Sequence, residues 1–339
     1  MRVHISKIYG YIGTGAKRQE MVTAIAKRDL HFDELGIYRY LVESDTPEML
    51  RARLDGILAS LFYGDIVIIQ SPTWNGLSFD EFLMRLLGAY RDVGKIMFIH
   101  DVPPLMSESY RPFLQRYINL YNQADLIIVP SQKMFDVLRE HGLTVKKIVV
   151  HKIFDYVASV DETIKPVFRK VVNLAGNPNW DPELEFCKNW KPDNVQLAVT
   201  ADSGDWAQGK NISFLGWFNN DNSLVNALRK SGGFGLLWYE DLSWTEYNKM
   251  NAHYKLSACL AAGLPVIVPV GTAEQDTIVH KNLGFAAASL EEAADRIEHM
   301  EEEEYRKMAE NVEKFSYLLR EGYFTRKALT DAVFQLLGG

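Results

Sequence analysis

Cysteine is nearly absent. The chain has two, Cys187 and Cys259, far apart and outside any C-x-x-C or Cys/His spacing. This excludes a disulfide framework and argues against a zinc site. Basic charge is also in deficit: 37 Lys and Arg against 44 Asp and Glu leave a net charge of −7. No overall positive field attracts nucleic acid, and no local cluster demands it. No apolar run nears the roughly 20 residues that span a bilayer. The opening MRVHISKIYG is too polar for a signal peptide, so the expected location is the cytoplasm. Repeats and low-complexity segments are missing as well.

What is present is a globular composition, 47% hydrophobic and 24% charged, in 339 residues, enough for two domains. Apolar runs alternate with amphipathic ones. Strands are expected near 2–8, 35–40, 65–70 (DIVIIQ), 95–100 (KIMFIH), 125–129 and 147–151. Helices fall between them, near 16–29, 46–62, 78–91, 109–122 and 131–141. Apolar strands that do not alternate are buried on both faces, which means parallel strands flanked by helices. The pattern fades at 155–168 and restarts, with strands near 170–175, 195–200, 211–215, 233–238 and 265–269. Helices follow near 181–190, 221–231, 250–262, 274–281, 289–317 and 322–337. Two successive βα series predict an α/β protein of two doubly wound, Rossmann-like domains. The alternative is one larger sheet, and eleven parallel strands in one open sheet would be unusual. The domains are expected at 1–155, completed by the C-terminal helix 320–339, and at 168–318.

The most informative stretch is His253–Leu264, HYKLSACLAAGL, followed by PVIVPVGTAEQ. It predicts a helix ending at Gly263, a buried strand, then a turn at a strand carboxyl end, where ligands bind in doubly wound sheets. Backbone N–H groups and a helix dipole there suit a diphosphate. Lys255 could add a point charge, although a lysine on an amphipathic helix is more often simply solvated. Gly10-Tyr11-Ile12-Gly13-Thr14-Gly15 is a glycine-rich loop after a strand, but it is not the G-x-G-x-x-G fingerprint.

HYKLSACLAAGLPVIV, GGFGLLW upstream and NLGF downstream resemble the donor domain of GT-B glycosyltransferases. With MRVHI, GDIVIIQSPTWN, FIHDVPPLM, GNP and EGYFTRKALTDAVFQ, the chain is similar over nearly its whole length to a more specific family. These are the glucosyltransferases that extend O-linked GlcNAc on Gram-positive serine-rich-repeat adhesins. β-1,6-Galactofuranosyltransferases share weaker signals. The resemblance implies two Rossmann-like domains facing across a cleft, the first on the acceptor side. It implies a UDP-sugar donor, most simply UDP-glucose, with no other cofactor, and a GlcNAc-modified serine-rich-repeat protein as acceptor. It also implies a homo-oligomer, expected as a homotetramer. Donor contacts are carried over to Thr14 and Gly15, to Gly176 and Asn177 of the GNP loop, and to His253, Tyr254, Lys255, Leu256, Ser257 and Ala258. Where relatives have a basic residue after GNP, this chain reads Asn179-Trp180, so either Trp180 stacks on the uracil instead or the charge comes from elsewhere. At 253, His replaces a smaller polar residue.

Sugar transfer needs a base for the acceptor hydroxyl, and a negative charge helps an oxocarbenium-like transition state. Asp101, with His100 as the other candidate, ends a buried strand before the stiff Val102-Pro103-Pro104 turn. Both could instead only cap or brace that loop. Trp74, in QSPTWN, is a candidate acceptor platform. No Asp-x-Asp signature occurs, and Asp202-Ser203-Gly204-Asp205 has another spacing, so metal-independent transfer is expected. The reading of another class is a GT-B shell that binds without turnover.

Overall fold

A computed structural model describes residues 1–338. The chain divides into two compact units, Met1–Lys152 with the segment from Phe324 onward, and Ile153–Tyr323.

Unit 1 runs through β1 (Val3–Tyr9), α1 (Thr14–Leu30), β2 (Asp33–Tyr38), α2 (Pro47–Leu58), β3 (Ile66–Ser71) and α3 (Leu77–Leu87). It continues with β4 (Gly94–Ile99), α4 (Pro103–Met106), α5 (Leu114–Tyr121), β5 (Leu126–Val129), α6 (Gln132–Glu140) and β6 (Lys147–Val150). The six strands are all parallel, in the order β2-β1-β3-β4-β5-β6. Every residue of β3 (IVIIQS) and β5 (LIIV) is buried, as expected of strands covered on both faces. Helix starts follow local chemistry. Thr46 accepts the Met49 N–H with Pro47 in the first turn, and Ser131 accepts the Met134 N–H. The helix expected at 109–122 is shorter, because Pro112 sits in a separate 3-10 turn, Arg111–Phe113, ahead of α5.

Unit 2 runs through β7 (Val171–Leu174), a 3-10 run at Pro182–Asn189, β8 (Gln196–Val199), β9 (Ile212–Phe214), α7 (Asp221–Ser231) and β10 (Phe234–Leu236). Then come α8 (Leu242–Asn248), α9 (Tyr254–Ala261), β11 (Val266–Pro269), α10 (Gln275–His280), β12 (Gly284–Ala287), α11 (Leu290–His299) and α12 (Glu302–Arg320). Its sheet is also six-stranded and parallel, in the order β12-β11-β10-β7-β8-β9. Val172, Leu197, Phe234, Ile267 and Phe285 build its core.

Three expectations are corrected here. A sixth strand, β12, is present, four residues long and too short to stand out by periodicity. The helix expected at 250–262 begins only at Tyr254, because the His253 N–H is taken by the Glu274 carboxylate at 2.7 Å. The helix expected at 289–317 is two, since Met300 is extended (φ −71°, ψ 133°) and α12 starts afresh after it. The last helix, α13 (Tyr323–Leu337), lies with unit 1. Lys147 donates to the Gln335 carbonyl at 3.0 Å and Arg326 pairs with Asp29 at 3.1 Å.

Candidate functional site

Strand order fixes where each sheet can bind. In unit 1 the chain leaves β1 toward β2 and leaves β3 toward β4, so the loops after β1 and β3 part and open a crevice at the carboxyl edge. Those loops carry Tyr11 and Trp74, whose rings stack at 5.0 Å with 16° between planes. The Arg39 guanidinium lies 5.2 Å from the Tyr11 centroid and donates to the Trp74 carbonyl. Thr14 opens α1, and Gly15 follows in its first turn. A Cβ at Gly15 would stand 2.9 Å from the Trp74 indole, so this glycine makes room for the ring. Trp74 itself has φ +60°, a strained conformation for a bulky residue.

Asp101 follows β4 and is buried. One of its oxygens is ion-paired with Arg18 of α1, whose other terminal nitrogen donates to the His100 carbonyl at 3.4 Å. The pair lies close enough to the loop after β1 that Tyr11 feels the charges of Arg39, Asp101 and Arg18. His100 is placed differently. Its ring stacks on Phe98 at 4.6 Å and its Nε2 bonds the Gln70 Oε1 at 2.8 Å. Burial, then the nearby Arg18 and His151, hold its pKa well below the usual value. It is an internal brace, which leaves Asp101 as the base candidate of this pair.

In unit 2 the corresponding crevice lies between the loops after β7 and β10. The loop after β7 is the Gly176-Asn177-Pro178 turn. The Asn177 carbonyl accepts the Trp180 and Asp181 N–H groups at 3.1 Å each, and its side chain accepts the Asn179 N–H at 3.0 Å. A Cβ at Gly176 would stand 2.5 Å from the tip of the buried Leu184 side chain, which would have to shift. Lys255 reaches this loop from the first turn of α9. Its ammonium is 2.7 Å from Asp181 Oδ2 and 3.8 Å from Glu183 Oε2, and it lies 5.6 Å from the Tyr239 ring centroid. Burial works to lower its pKa, but the charges of Tyr239, Asp181 and Glu183 outweigh it and raise the value. Lys255 is therefore cationic at the switch point.

The other expected donor residues separate into two groups. Trp180 is 81% exposed and stacks on Trp217 at 6.0 Å, so its outer face is open to a planar ring. His253 is buried, with Nδ1 3.0 Å from Glu274 Oε2 and Nε2 2.6 Å from Asn248 Oδ1. It pins the start of α9 to the turn before α10. The Tyr254 ring packs on Tyr156 at 4.7 Å. Leu256, Ser257 and Ala258 are buried, Ser257 Oγ donates to the His253 carbonyl and the Ser257 N–H bonds that carbonyl at 3.2 Å, so these three side chains offer a ligand nothing. The sequence reading missed Arg18, Arg39, Tyr11, Asp181, Glu183 and Glu274. Only the acidic pair after GNP and the Glu of GTAEQ carried a local signal.

The Glucosyltransferase 3-like N-terminal domain matches residues 2–153, and the Glucosyltransferase 3-like C-terminal domain matches residues 172–332. Glucosyltransferase 3 of Streptococcus gordonii is 41% identical over 99% of this chain and 100% of its own length. Its namesake from Streptococcus parasanguinis is 39% identical over 99% of each. Among solved structures, Anabaena Alr3699/HepE in complex with UDP and glucose superposes with a TM-score of 0.65, covering 99% of this chain and 100% of that one at 13% identity. Two parallel six-stranded Rossmann-like sheets and these matches together establish the expected GT-B fold. The chain is a glycosyltransferase and belongs to the Glucosyltransferase 3-like family.

Proposed function

We propose that the protein transfers glucose from UDP-glucose to GlcNAc O-linked on a serine-rich protein, adding the second sugar of the glycan. Lys255 carries the reading: a cation at the switch point of unit 2, held by two carboxylates that a diphosphate can replace. The uracil stacks on the outer face of Trp180, and the N-terminal turn of α9 faces the phosphates. The fold neighbour bound to UDP and glucose supports this donor class.

Unit 1 takes the acceptor. The acceptor oxygen attacks the sugar C1 and its proton passes to Asp101. The bond from C1 to the phosphate oxygen breaks, and its electron pair leaves with UDP. Lys255 and backbone N–H groups neutralise the departing diphosphate, so the reaction needs no divalent metal.

The test is incubation with UDP-glucose or UDP-galactose and a GlcNAc-bearing serine-rich peptide, with and without a chelator. Hexose transfer from UDP-glucose that survives chelation is expected. Transfer from UDP-galactose alone moves the assignment to a galactosyl donor. UDP binding without turnover favours a non-catalytic subunit, and failure to bind UDP sinks the reading.

A further inference from the structure

The turn that carries Trp74 is held from two directions. On one side Asn75 Oδ1 accepts the Tyr40 N–H and its Nδ2 donates to the Tyr38 carbonyl, both at 3.1 Å, while Arg39 grips the Trp74 carbonyl. On the other side stands Asp80, in the first turn of α3 and buried. Its Oδ1 accepts the Thr73 hydroxyl and its Oδ2 accepts the Thr73 N–H at 3.3 Å. Thr73 Oγ1 in turn accepts the Asn75 N–H at 3.5 Å. A buried carboxylate receiving two donors from one residue is a costly arrangement. Here it sits next to a residue, Trp74, whose backbone is itself strained.

We propose that Asp80 is a positioning residue for the acceptor: by clamping Thr73 it sets the turn that presents the Trp74–Tyr11 stack at the unit 1 crevice. This rests on the reading above that unit 1 takes the acceptor. Asp80 touches no reacting atom and acts only through Thr73. Its ionised form accepts both Thr73 donors, whereas protonation converts one oxygen into a hydroxyl and weakens one acceptor. Burial outweighs those bonds, so by linkage the closed turn is favoured with Asp80 protonated: the clamp holds at low pH and loosens as pH rises. The charged and titratable neighbours are Glu81, which is paired with Arg116 at 2.6 Å, and Tyr117 and Tyr121 of α5. Burial first, and Glu81 more weakly, push the Asp80 pKa up to about 7, against the Thr73 hydrogen bonds that lower it. The loosening thus falls in the working range.

The experiment measures acceptor KM, kcat and UDP affinity between about pH 6 and 8. Wild type, Asp80→Asn, Thr73→Val and Thr73→Ser are compared. Wild-type acceptor KM should rise several-fold as pH rises through about 7. Thr73→Val should raise KM by about tenfold, and Asp80→Asn, which cannot ionise, should hold KM flat with pH near the wild-type low-pH value. Thr73→Ser, which keeps the hydroxyl, should restore the wild-type profile. UDP affinity should stay constant in all four. An acceptor KM in Asp80→Asn equal to wild type at every pH overturns the proposal, as does a matching loss of UDP affinity. A second arm follows amide exchange of the 72–76 segment, which needs no turnover. Slower exchange in Asp80→Asn than in wild type at about pH 8, with the gap closing near pH 6, supports the clamp, and equal exchange overturns it. If the wild type transfers no sugar at all, the acceptor reading fails by itself, and the exchange arm still decides the clamp.

Discussion

The same doubly wound plan builds two crevices of opposite chemistry. At the carboxyl edge of unit 1 the polar groups are internal and tied to one another: Asp101 to Arg18, His100 to Gln70, Asp80 to Thr73. What faces outward is largely aromatic, the Tyr11–Trp74 stack. In unit 2 a lysine sits among carboxylates that are only partly buried, and two tryptophans stand open beside it. A rigid, braced pocket suits a neutral sugar that must be oriented to within a fraction of an ångström. An exchangeable ion pair suits a charged ligand that arrives with its own negative charge and leaves with more. Fold alone does not distinguish the two crevices. The side chains at each switch point do.

The largest expected effect breaks the comparison on the unit 1 side. Asp101→Asn keeps the shape and one hydrogen bond to Arg18 but removes the basicity. Turnover should fall by about 10²–10⁴ while UDP affinity, which the proposed reading assigns to unit 2, stays near wild type. Single-turnover rates with the GlcNAc acceptor, alongside calorimetry with UDP, measure both. A drop of only a few-fold means that Asp101 merely braces the loop with Arg18. On the unit 2 side, Lys255→Ala should weaken UDP binding by roughly 1.5–3 kcal/mol, ten- to a hundredfold, the value of a charge-assisted contact. Acceptor KM should not move. Unchanged UDP affinity in calorimetry would leave Lys255 as a partner of Asp181 and nothing more.

The sheets were legible in the sequence because parallel strands buried on both faces read as unbroken apolar runs, DIVIIQ and DLIIV among them. The helix and strand of HYKLSACLAAGLPVIV were legible too, since a small-residue helix ending at Gly263 is followed at once by a buried apolar run. What could not be read was which polar residues turn inward. His100 and Asp101 are adjacent and look equivalent in sequence. Strand geometry sends the histidine onto Phe98 and Gln70, and lets the aspartate meet Arg18, 83 residues earlier. Asp80 looks like an ordinary first-turn acid. Its role depends on Thr73, seven residues earlier across a turn whose strained backbone has no sequence signature. The break at Met300 lacked any Gly or Pro to announce it.

The braced character of unit 1 has a stability signature of known sign. The folded pKa of Asp80, about 7, lies above its ordinary 3.8. Between those values the folded chain holds a proton that the unfolded chain has released. Stability from this group is therefore full at low pH and is lost as pH rises through about 7. Asp80→Asn removes the titration. Relative to wild type, the variant should gain on the order of 3–4 kcal/mol at most between about pH 4 and 8. Urea unfolding at several pH values tests this as a double difference, which cancels the pH-independent loss of one Thr73 hydrogen bond. A gap between variant and wild type that does not change with pH would show that Asp80 does not titrate in this range.

The smallest effect sharpens the unit 2 side of the contrast. If Asp181 holds Lys255 only until a diphosphate arrives, the carboxylate competes with the ligand, and removing its charge should tighten binding. Asp181→Asn is the suitable change, because an asparagine oxygen can still accept the Glu183 N–H that Asp181 Oδ1 caps at 3.2 Å. The loop geometry is thereby kept. The pair is partly solvent-exposed, with side-chain exposures of 19% and 28%, so its strength is that of a screened ion pair, about 0.3–1 kcal/mol. UDP affinity should therefore rise about two- to fivefold, with the gain shrinking as salt is added. In a Lys255→Ala background the same substitution should change nothing, since there is no ammonium left to release. Calorimetry on the four proteins of this cycle measures the coupling directly. Weaker UDP binding in Asp181→Asn would reverse the assignment: the carboxylate would then be orienting Lys255 toward the phosphates rather than standing in for them.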